Sequence, residues 1–203
     1  MLRLLFAGKL LTMPIFKTRL SVSPQLYLTG AIVLLIFPIH WILAWIAAVI
    51  IHELFHYFVL RICNTEIISI NLGINGARMT TGPLTARTEL ACALAGPAGS
   101  LSLLLLARWF PYVAICGLFH AVYNLLPLFP LDGGRVAVCL IRMIVKGRSA
   151  IHIYRLVKVS VFVVILMLSM KTLQYNLGPI PILLTIMLFF RTGMENPLAN
   201  IDK

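Results

Sequence analysis

The chain has 203 residues, of which 61% are hydrophobic and only 11% charged, with a formal net charge of +11 and a mean hydropathy of +0.99. A soluble domain of this length does not reach those values, so composition excludes one and implies a polytopic membrane protein. The charge needs no nucleic acid to explain it, because no soluble module combining basic residues with exposed aromatics is visible.

Residues 1–24 begin apolar, but Lys9, Pro14, Lys17 and Arg19 interrupt the run before a signal-peptide core can form. They read as an interfacial segment leading into the membrane, with a short strand over residues 16–24. Six transmembrane helices are predicted, over residues 26–37, 41–63, 90–107, 111–126, 156–175 and 177–190. The first and last are short for a bilayer core that needs about 20 apolar residues, so tilt, thinning or a partner must help them. After the second span, Ile68, Ile70, Leu72 and Ile74 alternate with Ser69, Asn71 and Gly73, and Asn75-Gly76 supplies a turn. That pattern predicts a small interfacial β-hairpin. Its exposed edge can accept an extended substrate as an added strand; simple loop closure is the alternative. In the third span Ala95, Gly96, Ala98, Gly99 and Ser100 form a small-residue face that lets helices approach closely, and Pro97 predicts a kink. The expected fold is therefore an all-α polytopic membrane protein with one interfacial hairpin, a single domain over residues 1–203 without repeats or linkers.

Placing the N-terminus in the cytoplasm puts every one of the 17 basic residues except Arg108 and Lys171 on the inner face, so both termini are expected there. Basic segments beside the spans should favour anionic lipid. Cys63, Cys92, Cys116 and Cys139 lack any CxxC spacing and read as small packing residues, not a disulfide framework or a cysteine-rich zinc site.

The chemistry is concentrated in His52-Glu53-Leu54-Phe55-His56, inside a run in which Glu53 is the only formal charge. An acid flanked by two imidazoles is costly in the hydrocarbon region and rarely there without a function. On a helix, His52 and His56 project from one face a turn apart and can close on one Zn2+ ion. Zinc brings the pKa of water to about 7, and Glu53 is placed to take a proton as that water attacks a carbonyl. Peptide hydrolysis is the leading reading; two structural histidines bonded to carbonyls, with Glu53 paired to a cation, is the plain alternative.

A zinc protease needs a third protein ligand. Asp132 is the strongest candidate, at the end of a stretch from Asn124 to Gly134 in which Pro127 and Pro130 must break any helix. Broken backbone at membrane depth is tolerated where it lines a cavity or is packed in protein. The alternative for Asp132 is an N-cap for a helix beginning near Gly133. His120 is a rival ligand, better explained as a bonded interior histidine; His40 and His152 fall at the wrong depth.

Together, the His52–His56 motif on a membrane helix, Asn124 and the Pro-Leu-Asp132-Gly-Gly segment resemble the site-2 protease family of intramembrane zinc metalloproteases. With Ala95-Gly96-Pro97 in the third span, the short form is most similar to the stage IV sporulation FB group, which processes a membrane-tethered sigma-factor precursor. The resemblance implies regulated intramembrane proteolysis, one zinc per chain on His52, His56 and Asp132, Glu53 as general base, and Asn124 helping to hold or polarise the scissile carbonyl. Satisfying carbonyls freed by Pro127 and Pro130 is the other role open to Asn124. The expected partners are a membrane-tethered protein substrate and membrane-protein regulators, with no nucleic acid. The expected location is a bacterial cell membrane or an internal membrane derived from it. No CBS or PDZ domain is expected, and the sequence does not specify an oligomeric state. Two other classes compete. In a metal-ion transporter, His52, Glu53, His56 and Asp132 would line an ion path, although their clustering at one depth suits hydrolysis better. In an inactive protease-like scaffold, an intact Glu53 would have no use.

Overall fold

In the computed structural model, residues 2–6, 9–13, 19–73, 76–145, 147–175, 178 and 180–193 are described. The chain divides into two compact units, Met1–Ala121 and Val122–Lys203.

Among the described residues, all five strands lie in the first unit. β1 (Leu2–Phe6), β2 (Lys9–Met13) and β3 (Arg19–Val22) precede α1 (Pro24–Ile36) and α2 (Ile39–Ile62); β4 (Ile67–Gly73) and β5 (Gly76–Thr81) follow α2. They form one sheet in the order β2-β1-β3-β4-β5. The β1–β2 and β4–β5 pairs are antiparallel, whereas β3 lies parallel to both β1 and β4. The predicted hairpin is therefore present, with Leu72 opposite Ala77 and Gly73 opposite Gly76, as one end of a larger sheet. Asn75 of the predicted turn lies outside the described residues. The N-terminal segment is not a plain interfacial lead: it contributes strands, and the strand expected within residues 16–24 is β3. Hydropathy reading misses β1 and β2 because their apolar runs do not alternate, and nothing local announces the parallel pairing of β1 to β3.

α3 (Ala86–Ser102) starts at a Thr85 cap whose Oγ1 accepts from the Thr88 amide at 3.2 Å, with Glu89 in the first turn. It passes through Pro97 and tightens into a 3-10 turn at Leu103–Leu106. α4 (Pro111–Asn124) carries the chain onward. Two clusters hold this unit together: Ala44 and Ala48 of α2 pack with Leu103 and Cys116, and Leu60 and Cys92 pack with Ile67 of β4. The second cluster seats the hairpin against the end of α2.

The second unit holds α5 (Asp132–Ile144), α6 (Arg148–Gln174) and α7 (Ile180–Gly193). Leu128, Leu131 and Leu188 form its core, and the Phe129 amide donates to the Tyr154 hydroxyl at 2.7 Å. Lys158 Nζ donates to the Thr192 carbonyl at 2.8 Å, satisfying an acceptor at the end of α7.

All six predicted spans correspond to helices, and among the described residues three helices are long and apolar enough to cross a membrane: Ile39–Ile62, Ala86–Leu106 and Arg148–Thr172. The apolar α1, α4 and α7 have 13, 14 and 14 residues. At a 1.5 Å rise they are about 20 Å long, against a hydrocarbon core of about 30 Å. α5 was not among the predicted spans, since Arg135 and Arg142 interrupt its hydropathy.

Candidate metal centre

The buried residues of α2 are Ala44, Ala48, His52, His56 and Leu60, each four after the last, so they form one row along the helix. On α3 a second row with the same spacing, Cys92, Gly96 and Ser100, is also buried. The two rows match in opposite directions. His52 Nδ1 lies 2.9 Å from Ser100 Oγ, and His56 Nδ1 lies 2.8 Å from the Cys92 carbonyl oxygen. A carbonyl can only accept, so His56 Nδ1 carries the proton and its Nε2 presents a lone pair.

The two Nε2 atoms are 3.1 Å apart, with the ring planes at 79°. They converge over Gly96: a Cβ there would overlap His56 Nε2 and stand 2.6 Å from His52 Nε2. Two imidazole nitrogens converging in a buried apolar setting, over a space kept open by glycine, suit zinc.

Glu53 is one residue on, which turns its side chain about 100° round the helix from His52. Its Oε1 accepts a long, 3.4 Å hydrogen bond from the Ala77 amide of β5, and a Cβ on Gly76 would lie 3.7 Å from it. The carboxylate thus faces the hairpin while the imidazoles face α3. Among the described residues β5 is the last strand of the sheet, so Glu53 sits beside an edge.

His120 packs edge to face against His52, with centroids 4.4 Å apart and planes at 89°, and against Trp45 at 5.2 Å. It buttresses a ring of the pair. His40 packs against Tyr112 at 4.8 Å, and His152 Nδ1 donates to the Arg148 carbonyl of its own helix at 3.1 Å.

In the second unit, Asp132 is buried and is the first residue of α5; Leu131 occupies the cap position, without a side-chain cap bond. The N-cap alternative for Asp132 is therefore corrected: its carboxylate lies within the first turn, where the helix dipole favours an anion, with Arg135 Nη1 at 3.9 Å. Behind it, a Cβ on Gly133 would stand 2.6 Å from the Leu126 carbonyl oxygen, and one on Gly134 2.6 Å from Phe129 Cα. The Asp-Gly-Gly sequence lets the start of α5 lie directly on the proline-interrupted backbone. Asn124 is the last residue of α4 and half-buried.

Sequence reading assigned Ser100 and Cys92 to packing alone and missed their bonds to the histidines. The matching four-residue spacing of Cys92, Gly96 and Ser100 is the signal that could have found them.

Among solved structures, the fold is similar to that of a site-2 protease from Methanocaldococcus jannaschii, with a TM-score of 0.64 and 19% identity over 95% of this chain and 97% of that one. The chain has the fold of a site-2 protease. No protein-family profile matches the sequence, and no curated protein does. Within the site-2 protease fold, the converging His52–His56 pair on α2 and its backing by α3 are this chain's own geometry.

Proposed function

We propose that this chain is an integral-membrane zinc metalloendopeptidase that cleaves membrane-tethered proteins within or beside a transmembrane segment. The observation that carries the proposal is the convergence of His52 and His56 Nε2 at 3.1 Å, with both Nδ1 atoms engaged from α3. As third ligand the proposal takes Asp132, on the sequence resemblance of the Pro-Leu-Asp132-Gly-Gly segment; it is buried within its own unit, and two imidazole nitrogens with a carboxylate oxygen are donors that zinc accepts. When bound, zinc supplies a Lewis acid that polarises a carbonyl and makes water a nucleophile near neutral pH.

The chain's own residues do the rest. Glu53 takes the proton of the attacking water and returns it to the departing amine. The Asn124 amide donates to the oxygen on which negative charge develops. A peptide bond within a helix is shielded, so the substrate must be held extended, and the free edge of β5 beside Glu53 suits a strand added there. Both termini lie in the cytoplasm, with basic segments against anionic lipid. The narrower reading, a tethered sigma-factor precursor as substrate, rests on the resemblance of the short form with Ala95-Gly96-Pro97 to the sporulation branch.

The test is cleavage of a single-span substrate by the purified protein in lipid vesicles. Activity should vanish with a chelator and return with zinc; cleavage indifferent to chelation sinks the metalloprotease reading. Zinc uptake into sealed vesicles that depends on His52, without cleavage, favours a transporter.

A further inference from the structure

We infer that α3 is the orienting template of the metal site, and that Ser100 is a positioning residue which fixes the tautomer and ring plane of His52. The inference deepens the zinc reading above and concerns metal affinity rather than proteolysis.

His52 and His56 are presented by one helix at a spacing of four, and a flexible imidazole on a helix has two ring nitrogens, only one of which can face the ion. What selects that nitrogen is the partner of the other. For His56 the partner is the Cys92 carbonyl at 2.8 Å, a backbone group that no substitution removes. For His52 it is the Ser100 hydroxyl at 2.9 Å, a side chain with 0% exposure. A hydroxyl accepts as readily as it donates. When it accepts from His52 Nδ1–H, His52 matches His56, and both Nε2 lone pairs face the space above Gly96. One template row on α3 therefore does three things: Cys92 orients one ring, Ser100 orients the other, and Gly96 leaves room between them. Ser100 is the one member of the row whose contribution comes from a removable side chain.

The experiment is zinc affinity of the purified full-length protein, measured by competition with a chromophoric chelator, for the parent, Ser100→Ala, Ser100→Thr and Ser102→Ala. Loss of a ligand's orienting partner typically costs 10–100-fold in metal affinity, so Ser100→Ala should weaken zinc binding by about that factor. Ser100→Thr keeps the hydroxyl and should restore affinity to within a few-fold. Ser102→Ala deletes a hydroxyl of the same helix that bonds the Gly99 carbonyl instead, and should bind zinc as the parent does. Cobalt substituted for zinc gives a second readout: its visible spectrum should change in Ser100→Ala and not in Ser102→Ala. Should Ser100→Ala fail to fold, the near-isosteric Ser100→Cys, with a weak acceptor in place of the hydroxyl, takes its place with a loss in the same direction. Parent-like affinity in Ser100→Ala or Ser100→Cys, or an equal loss in Ser102→Ala, overturns the inference. A parent that binds zinc but cleaves nothing overturns the protease reading and leaves this one standing.

Discussion

The Glu53 carboxylate accepts from the Ala77 amide at 3.4 Å, so the acid next to His52 in sequence is tied to the edge strand of the sheet. A single residue step on α2 separates two environments, with α3 behind the imidazoles and β5 beside the acid.

That geometry separates the chemical role of Glu53 from its structural one. Glu53→Gln keeps the side chain's size and an oxygen that can accept from Ala77, but removes the base. Cleavage of a co-expressed tethered substrate should fall by at least about 100-fold, while zinc content by elemental analysis stays at the parent level. Retained cleavage would remove Glu53 from the reaction.

Gly96 offers a purely steric test. A methyl group there points between the two Nε2 atoms, 2.6 Å from that of His52, and backing α3 away would break the bonds to Ser100 and Cys92. Gly96→Ala should therefore lose zinc almost entirely. Gly82→Ala, where a Cβ meets nothing within 4 Å, should bind as the parent. Competition with a chelator compares the two, and normal zinc binding by Gly96→Ala would refute convergence over this residue.

What was legible in the sequence follows from how locally each feature is encoded. The His52–His56 pair and the β4–β5 hairpin are written in periodicities of four and two, and both are present. The α3 template is written in a period too, but Cys92, Gly96 and Ser100 look like any small packing residues until their partners are known. Strand β1 pairs with β3 as well as with β2, and the parallel β1–β3 pairing is recorded by no local pattern. Apolar content identifies a helix more securely than it gives its length: α1 has the composition of a span and only 13 residues, so among the described residues three of the six predicted spans have the length to cross a membrane.

Within the second unit, Ser169 and Thr185 share a hydrogen bond of 2.7 Å between α6 and α7, and both are buried. Such interhelical bonds contribute about 0.6 kcal/mol on average and up to about 1.7 kcal/mol. Ser169→Ala should lower stability by about 1 kcal/mol in a detergent-denaturation series. A double-mutant cycle with Thr185→Ala should show positive coupling, and zinc affinity should not move. Additive losses would mean that the two hydroxyls act independently, through their separate bonds to the Pro181 carbonyl.

Asp132 poses the sharpest choice between structure and chemistry. It is buried in the first turn of α5, where an anion is favoured by the helix dipole by about 0.3–1 kcal/mol, with Arg135 at 3.9 Å. If that were its whole role, Asp132→Ala would destabilise the protein slightly and leave zinc alone. As a ligand, its loss leaves two imidazoles to hold the ion, and zinc should be lost on dialysis against a weak chelator. Asp132→Asn separates the two further, because it keeps the volume while removing the charge, and it should also lose zinc. Thermal denaturation alongside zinc analysis decides the matter: a small stability change with most of the metal gone assigns the carboxylate to the ion, whereas the same change with full metal content assigns it to the helix.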